Sequence, residues 1–182
     1  MACALDEIEF GADHFALFGL PRAFRIDSPA LDEHFRALQA RVHPDRFARA
    51  EESERRISLQ WATRVNEAYQ TLKNPLSRAQ YLLGLAGQGV DMANNTAMPP
   101  EFLMEQMEWR EAVAEARQVR EAAELEDLRH RVGQRMNKSY ARLAEFIDDE
   151  RDYAAAADCV RRLMFLEKLL TEIDDGIAAL EE

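Results

Sequence analysis

The sequence predicts an all-α protein in two parts, an N-terminal domain built on an antiparallel helical hairpin with short flanking helices and a C-terminal three-helix bundle. Three observations lead there. Apolar residues recur at helical spacing over several long stretches, and no segment alternates with the period of two that marks a strand. All six prolines, at 21, 29, 44, 75, 99 and 100, fall in the first hundred residues, whereas the chain beyond Pro100 has only Gly133 and Gly176 as breakers. Short helices with turns are therefore expected first and long helices after. With 182 residues, 47% of them hydrophobic, the chain has enough apolar surface for one or two ordinary cores.

The elements follow in order. Asp27-Ser28-Pro29 is a helix-start signal, with Ser28 as N-cap and proline at the first helical position. Leu31, Phe35, Leu38 and Val42 then mark one buried face, which ends at His43 because a residue before proline is pushed out of the α region. Ile57, Trp61, Val65, Tyr69 and Leu72 mark a second helix that stops at Asn74-Pro75. These two helices bury their faces by packing antiparallel, joined by a polar loop from about residue 44 to 54. A short helix over 78–85 follows. The stretch 84–100, GLAGQGVDMANNTAMPP, gathers Gly, Asn and paired prolines and reads as connecting chain. Domains are accordingly expected at 1–86 and 101–182, with a linker over 87–100. The bundle helices begin with 102–120. The second carries Leu125, Leu128, Val132, Met136, Leu143 and Phe146. The third starts near Asp152 and presents Tyr153, Ala156, Val160, Leu163, Leu170 and Ile177.

The 23 basic and 34 acidic residues leave a formal net charge of -11, which argues against nucleic acid and anionic membranes as default partners, since both reward basic patches. The charge is unevenly placed. Residues 1–89 hold 11 basic and 12 acidic residues, and residues 90–182 hold 12 and 22, so the net of -10 belongs to the second half. Cys3 and Cys159 lie far apart in the chain with no C-x-x-C spacing, so neither a disulfide framework nor a zinc knuckle is written here. The acidic N-terminus does not resemble a secretory or transit peptide, and no apolar run reaches the roughly 18 residues that span a bilayer, so a soluble cytoplasmic protein is expected. The four histidines, at 14, 34, 43 and 130, form no metal motif. No phosphate-binding loop or activated nucleophile is written in the chain either, so neither an enzyme, a metal site nor a cofactor is expected.

Two features stand out as contact surfaces. The first is His43-Pro44-Asp45, at the turn of the hairpin, preceded by Arg36 and Arg41 and followed by Arg46 and Arg49. Read alone, Pro44 ends a helix, Asp45 caps or solvates the turn and His43 is a surface histidine. Alternatively, a rigid tip ending in a carboxylate suits a protein contact in which Asp45 meets a partner's arginine. At about 100° per residue, Arg36 and Arg41 lie roughly 140° apart and flank the buried stripe.

The second feature is on the helix from Phe102. Phe102, Trp109, Val113 and Ala116 form its core stripe, and roughly opposite lie Leu103, Met104 and Met107 among Glu108, Glu111 and Glu115. That face either packs beneath the linker or the first domain, or forms a partner groove to which adaptable methionines and flanking carboxylates lend selectivity. Phe165 lies about 140° from Val160 on the last helix, either as a packing aromatic or as a second contact beside this face.

The chain resembles the J domain of DnaJ-type co-chaperones and, more narrowly, the HscB family dedicated to iron-sulfur cluster assembly. The resemblance runs through HFALFGLP (14–21), VHPDRFA (42–48), NEAYQTLKNPLSRAQYLL (66–83), FLMEQMEWREAV (102–113) and AAADCVRRLMFLEKL (155–169), the last two being the more specific. It implies that His43, Pro44 and Asp45 stimulate ATP hydrolysis by an HscA-type chaperone of the DnaK family, with Arg36, Arg41 and Arg46 beside them meeting an acidic chaperone surface. It also implies that Leu103, Met104, Met107, Glu108, Glu111, Glu115 and Phe165 contact an IscU-type scaffold protein. Arg46 stands where many members have lysine and Gln80 where glutamate is frequent.

Overall fold

Helix-start chemistry and terminal prolines set the elements, and packing of their apolar faces assembles them. The computed structural model describes residues 11–48, 50–90 and 99–181, all helical or loop, with no strand among the described residues. By contacts the chain divides into two compact units that meet between Leu82 and Leu83.

In the first unit, α1 (His14–Leu17) is capped by Asp13, whose carboxylate accepts from the Phe15 and Ala16 N–H groups and from Arg22. Partial burial alone would raise the Asp13 carboxyl. The hydrogen bonds and the Arg22 charge outweigh it and hold the group below the usual carboxylate range. Gly19 follows α1 at a φ of +61°, a left-handed turn in which a side chain would be strained. Next, α2 (Ser28–Val42) and α3 (Glu52–Lys73) form the hairpin, with a single 3₁₀ turn, Pro44–Phe47, between them. Phe15, Leu31, Val42, Val65 and Leu72 are fully buried at its centre. Asp32 on α2 takes the Lys73 ammonium at 2.6 Å and the Tyr69 hydroxyl at 3.0 Å, tying the base of the hairpin together. The last helix of this run is α4 (Pro75–Leu85).

Three expected details differ here. Asp27, not Ser28, is the N-cap of α2: its carboxylate accepts from the Ala30 N–H at 3.0 Å, which moves Pro29 to the second helical position. Ile57 is exposed, and Ser58 takes the buried place on α3. The short helix starts at Pro75 rather than 78, because the Asn74 side chain caps the Ser77 N–H at 2.9 Å.

The second unit contains α5 (Pro100–Val119), α6 (Ala122–Ala144) and α7 (Tyr153–Glu181). Val113 and Ala116 of α5, Leu125, Leu128 and Val132 of α6, and Leu166, Leu169 and Ile173 of α7 make one apolar cluster. Leu170, Ile177 and Trp109, all expected in the core, are only partly buried at its edge. Close approach is built in at Gly176, where an added Cβ would lie 2.7 Å from Arg117 Nε; the Arg117 guanidinium crosses over there to donate to the Glu172 carbonyl. Beyond α6 the chain winds through a π-turn, Glu145–Glu150. The wider turn carries Ile147, not the expected Phe146, into the core, and leaves Phe146 half-buried beneath the Arg142 guanidinium at 4.0 Å. Most of the expected linker, residues 91–98, lies outside the described residues.

Candidate functional site

The hairpin tip is held by backbone economy. His43 ends α2 in an extended conformation and starts the 3₁₀ turn, so one residue serves as cap to both. The Asp45 N–H donates to His43 Nδ1 at 3.3 Å, which makes Nδ1 the acceptor in the neutral ring and places the ring proton on Nε2. The Asp45 carboxylate lies 3.6 Å from the same ring nitrogen and is otherwise in solvent: the His43 side chain is 51% exposed and that of Asp45 90%. Pro44 is exposed between them.

Around this tip, the arginines divide their roles. The Arg46 guanidinium donates to the Ala40 carbonyl at 3.2 Å, covering one of the acceptors left open at the end of α2. Arg36 lies farther down α2, its Nε donating to the Asp32 carbonyl, and Arg41 is exposed near the helix end. Arg49 lies outside the described residues.

Sequence reasoning missed the group that fixes this loop from below. Ser58, fully buried on α3, donates to the Val42 carbonyl at 2.7 Å, across the hairpin. The available signal was its position three residues before Trp61, on the same face of the helix. Ser58→Ala strands a carbonyl whose residue is wholly buried, at a cost of about 1–3 kcal/mol. Urea denaturation of the two proteins measures it; an unchanged midpoint would mean that water replaces the hydroxyl.

On α5, Leu103, Met104 and Met107 are 47%, 61% and 70% exposed, and Glu108, Glu111 and Glu115 are exposed beside them. Phe102, on the opposite side, is buried. Phe165 meets that buried side: its ring packs edge-on against Phe102 with centroids 5.9 Å apart, and Arg110 covers it at 5.6 Å. It is partly buried against the bundle core, so its contact is with Phe102, and its free edge alone is available to a partner.

Among the described residues, no group of three or more potential metal ligands occurs, and no helix is long and apolar enough to cross a membrane.

A family profile described as "HSCB C-terminal oligomerisation domain" matches residues 98–174. A co-chaperone protein HscB homolog of Azoarcus sp. (strain BH72) is 58% identical over 174 residues, covering 96% of this chain and 98% of the relative. Among solved structures, chaperone HscB from Vibrio cholerae superposes with a TM-score of 0.81 at 41% identity, covering 93% of this chain and 99% of the other. Human co-chaperone protein HscB gives a TM-score of 0.86 at 29% identity, covering 91% and 82%. With near-complete coverage at this identity, and with a His-Pro-Asp tip and an apolar α5 face each presented to solvent, the chain belongs to the HscB co-chaperone family.

Proposed function

We propose that this protein is an adaptor in iron-sulfur cluster assembly, without catalytic activity of its own. Its J domain, residues 1–86, presents His43, Pro44 and Asp45 to an HscA-type chaperone and stimulates that chaperone's ATPase, with Arg36, Arg41 and Arg46 as the flanking charges. Its C-terminal domain, residues 101–182, holds an IscU-type scaffold through Leu103, Met104, Met107, Glu108, Glu111, Glu115 and Phe165. The observation that carries this reading is the pairing of an exposed carboxylate tip in one unit with an exposed leucine-methionine face in the other. The leucine-methionine face is a poor use of surface unless something covers it, and the solvated carboxylate tip adds nothing to the fold that would account for it.

One chain holding both partners raises the effective concentration of scaffold at the chaperone. Faster hydrolysis without chemistry at the tip then comes from a shift in the chaperone's own conformational equilibrium. Steady-state ATPase of an HscA-type chaperone, with this protein and scaffold added singly and together, tests it. The expected result is stimulation by each and a more than additive rate with both. No response to this protein would reject the role.

The description of the matching profile favours a second reading, an oligomerising helical scaffold. Sedimentation velocity separates the two: a stable oligomer that leaves the chaperone ATPase unmoved supports the second.

A further inference from the structure

At the start of α5 a cavity of about 380 Å³ opens between α6 and α7. It takes from α5 only residues near its first turn, Phe102 and Glu105, so most of its walls belong to the other two helices. Three aromatic rings, Phe102, Phe146 and Phe165, contribute to its apolar surface beside Ala155, Cys159 and Leu166. Phe146 reaches it from the π-turn that displaced this residue from the core.

The polar lining has the opposite sign from its surroundings. Four cations, Arg135, Lys138, Arg142 and Arg162, line the cavity against two carboxylates, in a half of the chain that carries a net charge of -10. Both carboxylates are already engaged, Glu105 by Arg135 at 3.1 Å and Asp158 by Arg161. Arg142 is held by Glu145 and Glu150. Lys138 and Arg162 have no carboxylate partner among the described residues; Arg162 is half-buried over the Phe102 ring at 5.1 Å. A guanidinium withdrawn from water over an aromatic face gains from an anion brought to it.

The two cations left over indicate what kind of anion. Lys138 stands on α6 and Arg162 on α7, and the Phe102, Phe146 and Phe165 rings line the same cavity. A single small anion covers one such charge and leaves the rings in water, whereas a peptide with carboxylates on either side of an apolar side chain covers both charges and the rings. We propose that the cavity docks an acidic peptide segment of a partner protein, Lys138 and Arg162 taking its carboxylates and Phe102, Phe146 and Phe165 an apolar side chain between them. This chemistry is distinct from that of the outer α5 face, where glutamates border the apolar residues.

Fluorescence anisotropy of the full chain tests it, with a fluorescein-labelled peptide Asp-Glu-Leu-Phe-Asp-Glu and its counterpart carrying Asn and Gln for the acids. The acidic peptide is expected to bind at least tenfold more tightly. The double variant Lys138→Gln, Arg162→Gln is expected to lose that margin, and Leu103→Ala, Met104→Ala, Met107→Ala to keep it, which separates this site from the outer α5 face although the scaffold-binding reading shares Phe165 with it. Circular dichroism checks the fold of each; should Arg162→Gln unfold, the exposed Lys138→Glu alone is expected to weaken acidic-peptide binding. Equal binding of both peptides, full binding by the altered proteins, or equally tight competition by 4-phenylbutyrate, a single aromatic carboxylate, would overturn the proposal.

Discussion

Asp45→Ala is expected to reduce stimulation of the HscA-type ATPase at least tenfold and to leave scaffold binding and thermal stability unchanged. The tip shows why the effects separate. The Asp45 carboxylate is almost fully exposed and lies 3.6 Å from the His43 ring, beyond hydrogen-bond distance, so the fold draws little from it. Exposed substitutions of this kind usually change stability by within about 0.5 kcal/mol. The turn itself is kept by Pro44 and by the Asp45 N–H on the imidazole, neither of which alanine removes. A charge-assisted hydrogen bond to a partner arginine, in contrast, contributes about 1.5–3 kcal/mol, or roughly ten- to a hundredfold in affinity. Asp45→Asn, with the same shape and no charge, is expected to behave like alanine. Steady-state ATPase and scaffold titration on the same preparations decide it; loss of both activities in a folded protein would defeat the division of labour between the units.

The second large effect is expected on α5. Replacing Leu103, Met104 and Met107 together by alanine should weaken scaffold binding by about a hundred- to a thousandfold, as read by isothermal titration calorimetry. Three exposed side chains buried on association, at about 1–1.5 kcal/mol each after partial burial, account for that range. The cost to the fold is small because these side chains face solvent and alanine is the best helix former. Glu108, Glu111 and Glu115 changed to glutamine are expected to slow association and flatten its salt dependence rather than abolish it. Undiminished binding by the triple alanine variant would remove the outer α5 face from the interface.

Much of the architecture was legible because helical periodicity is a local signal. Leu31, Leu38 and Val42, or Val160 and Leu163, announce their buried faces within one helix. What escaped depends on partners distant in sequence. A serine at 58 looks less suited to a core than the isoleucine at 57 until the Val42 carbonyl, 16 residues away, is brought to it. The π-turn was equally hidden, since one extra residue per turn leaves the composition unchanged while exchanging Phe146 for Ile147 in the core. Asp27 and Ser28 are both good caps, and only the backbone chooses between them. The same reasoning explains the two candidate surfaces. His43-Pro44-Asp45 is contiguous and visible in the chain, as is the Leu103, Met104 and Met107 grouping on one helix. The basic cavity draws its charges from α6 and α7, where each cation taken singly reads as an ordinary solvated helix charge.

Cys159 sits near the floor of that cavity, its thiol donating to the Ser139 carbonyl at 3.3 Å, and burial pushes it up to about 11. At neutral pH only about one such thiol in ten thousand is ionised. Thiolates, not thiols, capture iron and accept sulfur. On the proposed role, a protein that handles a carrier of nascent clusters thus holds this sulfur mostly as the protonated thiol, a poor competitor for its cargo's metal.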